Sequence, residues 1–128
     1  MAVLRPFRRT KVLAVDDEVG FTRILKIAAR HYDIRAENDA ERALQAAIEF
    51  RPDVILMDRF MPKMWGDSLA LQFKAHPKLK QTPIIFLTAT VPQDDSGQLC
   101  THLHGYPILQ KPFSIEDIDR CIEQCLKN

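Results

Sequence analysis

Cysteine is scarce. The chain has three, an odd number without the spacing of a disulfide framework, so a stapled secreted scaffold is excluded. Cys121 and Cys125 lie four apart on a predicted helix and share its apolar face. They read as small core residues in a reducing compartment. Cys100, His102 and His104 crowd together, but zinc needs better-spaced ligands and a fourth partner. Long hydrophobic runs are missing too. No apolar stretch is long enough to span a bilayer, and Met1 to Thr10 has no apolar core of the signal-peptide kind. Charge of one sign is not in excess: the formal net charge is +1, too small to predict a nucleic-acid surface. Arg5, Arg8, Arg9 and Lys11 read as a solvated lead-in over residues 1–10. The expectation is a cytoplasmic protein with no direct nucleic-acid or membrane partner.

What is present is a single globular domain. Hydrophobic residues make up 46% and charged residues 27% of 128 residues, enough for one real core. Val12 to Val15 is a short apolar run ending in Asp16-Asp17. Phe21, Ile24, Leu25 and Ala28 then recur at helical spacing, which predicts a helix from Glu18 to His31. Ile34 and Ala36 mark a weak strand. Asn38, with Glu41 three residues later, predicts a reciprocally capped helix start, and Ala40, Ala43, Leu44 and Ala47 give that helix its buried stripe. Asp53 to Met57 is an apolar strand that delivers Asp58. Trp65, Leu69 and Phe73 line a third helix, which Pro77 stops. Ile84 to Leu87 is a strand followed at once by Thr88. Pro92 and Gly97 interrupt Val91 to His104, so a fourth helix there should be short or irregular. Ile108 and Leu109 form a last strand before Lys111-Pro112. Ser114 caps a final helix with Ile115, Ile118, Ile122, Cys125 and Leu126 on one face.

Strand and helix thus alternate five times. Unbroken Val/Ile/Leu strands are buried on both faces, as an α/β parallel sheet with helices on either side requires. Ligands of such sheets bind beyond the carboxyl ends of the strands. Asp16, Asp17, Asp58, Thr88 and Lys111 all stand at those ends. Three clustered carboxylates repel: two unit charges about 4 Å apart cost roughly 4 kcal/mol at an effective dielectric near 20. Magnesium offsets that, being a hard cation that takes carboxylate and phosphate oxygens together. Lys111 adds a mobile positive charge suited to a phosphoryl oxygen.

This constellation resembles the receiver domain of two-component response regulators, of the chemotaxis-regulator kind. The resemblance rests on Asp16-Asp17, on Asp58-Arg59-Phe60-Met61-Pro62 running to Gly66, on Thr88-Ala89, and on Lys111-Pro112-Phe113. It implies a single flavodoxin-like (βα)5 domain over residues 11–128, with a five-stranded parallel sheet in the order 2-1-3-4-5 and helices on both faces. It implies that Asp58 is the phosphoacceptor, attacking the phosphorus of a phosphohistidine. Asp17, Asp58 and the backbone carbonyl of Phe60 would ligate Mg2+ directly, with Asp16 assisting through water. Lys111 would bind the phosphoryl group and the Thr88 hydroxyl would donate to it. The implied partners are a sensor histidine kinase or histidine phosphotransfer protein and an unnamed downstream protein. The domain would be a monomer or a phosphorylation-dependent dimer. It would phosphorylate and dephosphorylate itself without turning over an external metabolite.

Two positions qualify the match. Receivers carry Tyr or Phe three residues before the lysine, where this chain has Ile108. Tyr106 stands two residues earlier and shares its face in a regular strand. Phe60 is bulky and apolar two residues past Asp58. On the receiver reading it would border the acyl phosphate and hinder attacking water, which predicts a long-lived phosphorylated state. Arg59 and Lys63 read as solvated. The alternatives are a non-phosphorylated pseudo-receiver acting as a constitutive binding module, an aspartate-nucleophile phosphatase, and a flavin-binding module. Such a phosphatase wants a second Asp where Phe60 stands. A flavin phosphate cradle wants Gly, Ser and Thr where this chain is acidic. The residues leave open whether this is a stand-alone regulator or one domain of a longer protein.

Overall fold

The apolar runs become one sheet. In the computed structural model, which describes residues 8–127, six strands form: β1 Lys11–Val15, β2 Asp33–Glu37, β3 Val54–Asp58, β4 Ile84–Thr88, β5 His102–Leu103 and β6 Tyr106–Gln110. Their order is β2-β1-β3-β4-β6-β5. All but β5 are parallel, so the expected five-stranded parallel order holds, with β6 in the fifth place and β5 added antiparallel at the edge. The lead-in falls mostly on residues 1–7, Arg5 included, outside the described residues. Arg8 pairs with Asp53 and Arg9 donates to the Arg30 carbonyl. No helix among the described residues is long and apolar enough to cross a membrane.

Period-2 alternation sends successive residues of each strand to opposite faces. Leu13, Val15, Ile55, Met57 and Phe86 face helices α2 (Ala43–Phe50) and α3 (Gly66–Ala75), meeting Ala43, Ala46, Ala47, Leu69 and Phe73. Val12, Ala14, Leu56, Ile85 and Leu87 face α1 (Val19–Ala28) and α4 (Ile115–Lys127), meeting Leu25, Ile118 and Ile122. Every residue of β3 and β4 is buried, as central strands covered on both faces must be. Cys121 and Cys125 pack against the second cluster as half-buried core residues.

Four details depart from the sequence reading. The cap of the second helical region is Asp39, not Asn38. The Asp39 carboxylate accepts from the Glu41 backbone N–H at 3.0 Å, opening a 3₁₀ turn at Ala40–Arg42 ahead of α2. Asn38 instead donates to the Asp16 carbonyl at 2.7 Å and to the Thr22 hydroxyl at 3.0 Å, tying the end of β2 to the end of β1. Trp65 does not line a helix face; it is the extended residue before α3 and is 56% exposed. Leu126, expected on the buried face of α4, is exposed, one turn past Ile122.

The fourth departure is the largest. Among the described residues, Val91 to His104 holds no helix. Asp94 accepts from the backbone N–H groups of Ser96 and Gln98, closing a turn with Gly97 at φ 86°. Leu103 then pairs with Tyr106 through His104 and Gly105, both left-handed at φ 54° and 82°. Short polar residues and glycine satisfy their own backbone here in ways a helix forbids. The crossover from β4 to β6 is therefore a turn and a hairpin, and four α-helices remain.

Candidate metal centre

Strand pairing assembles the centre. β1 and β3 are parallel neighbours with Val15 opposite Met57, so the next residues, Asp16 and Asp58, emerge side by side at the carboxyl edge. Asp17 follows one residue later, half-buried. One carboxylate oxygen from each of Asp16, Asp17 and Asp58 lies within 4.8 Å of the others. Asp16 is fully buried and Asp58 nearly so.

One ammonium and one backbone amide answer this charge. Lys111 follows β6, and its backbone N–H bonds the Thr88 carbonyl at 2.9 Å, fixing the root of its side chain. Its ammonium donates to Asp16 Oδ2 at 2.5 Å and to Glu18 Oε1 at 3.2 Å, and lies 4.0 Å from Asp58 Oδ1. Asp16 Oδ1 accepts from the Glu18 backbone N–H at 2.9 Å. Burial still wins at the acids. It pushes the Asp58 carboxyl up to about 7, helped by the Asp16 charge and opposed by Lys111. Asp16 is raised for the same first reason, against the pull of Lys111. Burial alone lowers Lys111, but its bond to Asp16 and the charges of Asp16 and Asp58 carry it above its ordinary value. Carboxyls raised by burial and by a neighbouring charge are what a divalent cation relieves. The donor set is all oxygen, which suits a hard ion such as Mg2+.

Around this centre the outcome is mixed. Thr88 is buried at the end of β4, and its hydroxyl is taken up locally, donating to the Thr90 carbonyl at 2.9 Å and accepting from the Thr90 N–H. Arg59 is not solvated. Its Nε donates to both carboxylate oxygens of Asp67, and its guanidinium carbon lies 5.2 Å from the Phe60 ring centre. Lys63 does stay exposed, paired with Glu41. Phe60 is 47% exposed and meets Trp65 edge to face at 5.1 Å. Ile108 and Tyr106 share one core cluster, and the Tyr106 ring rests against Phe86 at 5.8 Å. The three residues Cys100, His102 and His104 do not assemble: His104 bonds Asp67 and His102 bonds Thr101.

Sequence reasoning missed two supports. One is Asn38, whose bond to the Asp16 carbonyl steadies the acidic loop. The other is the reason for glycine at position 66. A Cβ there would sit 2.3 Å from the Asp58 carbonyl oxygen and 3.0 Å from the Arg59 Cα. Scarcity was the available signal: with four glycines in the chain, each invites a steric explanation.

The sequence model of the response regulator receiver domain matches residues 12–123. The regulatory protein AtoC of Escherichia coli is 26% identical over 91% of this chain. The alkaline phosphatase synthesis transcriptional regulatory protein PhoP of Bacillus subtilis is 29% identical over 91%. The chain spans 25% of the first of these and 48% of the second. Among solved structures, chemotaxis protein CheY4 of Vibrio cholerae superposes with a TM-score of 0.79 at 28% identity, covering 92% of this chain and 99% of that one. The receiver domain of sensor histidine kinase PA1611 from Pseudomonas aeruginosa, solved with magnesium in its active-site cleft, does so at 0.80 and 26%, covering 94% and 99%. The match over residues 12–123, joined to the flavodoxin-like sheet and its acidic edge, establishes that this chain belongs to the response regulator receiver family.

Proposed function

We propose that the domain accepts a phosphoryl group on Asp58 in a Mg2+-dependent reaction, the donor being the phosphohistidine of a sensor histidine kinase or histidine phosphotransfer protein. The observation that carries this reading is the meeting of Asp16, Asp17, Asp58 and the Lys111 ammonium at one sheet edge. An Asp58 carboxylate oxygen attacks phosphorus; the P–O bond forms as the P–N bond breaks, and that electron pair returns to the imidazole nitrogen. Lys111 binds an oxygen of the transferred group. Thr88 exchanges its bond to Thr90 for one to the same group. When bound, Mg2+ would be held by Asp17, Asp58 and the Phe60 carbonyl, with Asp16 assisting, and would neutralise charge on the acids and the phosphoryl oxygens.

Positioning and charge neutralisation are most of what phosphoryl transfer needs. Self-phosphorylation and slow self-dephosphorylation follow, with no turnover of an external metabolite. The new charge at Asp58 then biases a protein-binding surface. We place the domain at residues 11–128 behind a short lead-in, acting in the cytoplasm through protein contacts, as a monomer or a phosphorylation-dependent dimer.

Incubation with acetyl phosphate and Mg2+, read by intact mass, tests the reading. Wild type gains one phosphoryl group and Asp58→Asn gains none. Failure of the wild type to take label, with no divalent-metal binding, favours the constitutive binding module that Ile108 permits.

A further inference from the structure

The Lys111 side chain is 14% exposed and has an aromatic neighbour as well as carboxylates. Its ammonium lies 4.3 Å from the centre of the Phe21 ring. Phe21 belongs to the first turn of α1. The ring is braced in turn by Phe113, edge to face at 5.8 Å and 82°, two residues beyond Lys111. Both rings pack on the core cluster that holds Leu109 and Ile118. The ring is thus held by packing, while the lysine stem has four flexible carbons.

The neighbours of the ammonium differ in kind. Asp16 and Glu18 hold it through N–H donors, and every donor so used is withheld from an incoming oxygen. An aromatic face attracts a cation through its quadrupole and offers no competing lone pair. With Asp58 Oδ1 already 4.0 Å away, an oxygen on a group bonded to that carboxylate comes within donor reach without a swing of the side chain. We propose that Phe21 is a positioning residue for Lys111: its ring face holds the ammonium beside Asp58, so the amine meets an arriving phosphoryl oxygen already ordered. The inference rests on the reading of Asp58 as phosphoacceptor.

The test replaces Phe21 by mono-, di- and trifluorinated phenylalanine, which nearly preserve its shape while draining the ring's negative face. The rate of labelling by acetyl phosphate with Mg2+ falls stepwise across the series, about two- to tenfold in all. The thermal midpoint and the Mg2+ affinity stay level. In parallel, the Lys111 Cε protons in wild type resonate upfield under the ring current and return to ordinary positions in Phe21→Leu. A flat fluorination series in a wild type that does take label overturns the role of Phe21 alone, as does an unshifted Lys111 resonance. A wild type that takes no label overturns the phosphoacceptor reading, and the positioning role falls with it.

Discussion

Asp67, in the first turn of α3, accepts from Arg59 Nε through both carboxylate oxygens, at 3.1 and 3.3 Å. His104, at the tip of the β5–β6 hairpin, bonds the same carboxylate at 2.9 Å. The residue after Asp58 is therefore linked to the hairpin that replaces the expected fourth helix. Burial raises the Asp67 carboxyl, but the bonds from His104 and Arg59 outweigh it and hold it below its ordinary value of 3.8. A carboxyl depressed in the folded state adds stability above its unfolded pKa and loses it as pH falls through the folded one. Asp67→Asn should thus cost about 1 kcal/mol at pH 7. Urea melts at neutral and strongly acidic pH check this, since the gap between variant and wild type closes in acid.

Gly66→Ala drives a methyl group into the Asp58 carbonyl, and the atom it meets is backbone, with no flexible side chain to yield. The expected loss is about 2 kcal/mol, in the usual range for overpacking. Because the displaced atoms belong to Asp58 and Arg59, Mg2+ affinity should weaken with it. The single tryptophan, Trp65, adjoins Phe60 and reports that binding by its fluorescence.

Asp58 sets the pH response of the metal-free protein. Its carboxyl is pushed from 3.8 up to about 7 by burial and then by the Asp16 charge. Between those values the folded state binds the extra proton, so stability falls as pH rises through that window. Asp58→Asn removes the ionisation. At pH 8 without metal it should be more stable than wild type by about 1–2 kcal/mol, less than the bare repulsion because Lys111 offsets part of it. Thermal melts from pH 4 to 8 show the slope in wild type and its flattening in the variant. Mg2+ competes with the same proton, so its affinity in wild type rises as pH passes about 7.

Phe60 is half-exposed two residues past Asp58 and leans on Trp65; under the proposed function it would screen the acyl phosphate from water. Phe60→Asn opens that side and adds a group able to orient water. Loss of label from the phosphorylated variant, followed by intact mass, should run about three- to tenfold faster than from wild type, within the range of a positioned polar group. An equal or slower rate removes the screening role.

Much of the fold was legible because its signals are local. The alternation that buries Leu13, Ile55 and Phe86 on one face and Val12, Leu56 and Ile85 on the other is written in strand order. Ser114 was read correctly as a cap: its hydroxyl accepts from the Asp117 N–H at 3.1 Å. Asn38 and Asp39 were not separable, since both residue types cap helices and only the partner of each distinguishes them. That partner, for Asn38, is the Asp16 carbonyl from a different strand. Arg59 misled for a similar reason: a lone arginine after a strand is ordinarily solvated, and Asp67 reaches it only through α3, with His104 of the hairpin bonded to that same carboxylate.

The chain by itself determined the alternating α/β plan and the polar residues that end its strands, because side-chain period and turn chemistry act between near neighbours. Tertiary structure alone decided which charges meet: Lys111 beside Asp16, ninety-five positions away, under the Phe21 ring. Strand pairing across the sheet sets those distances. Burial at its edge then raises the Asp58 and Asp16 carboxyls, so that a proton on Asp58 competes with a metal.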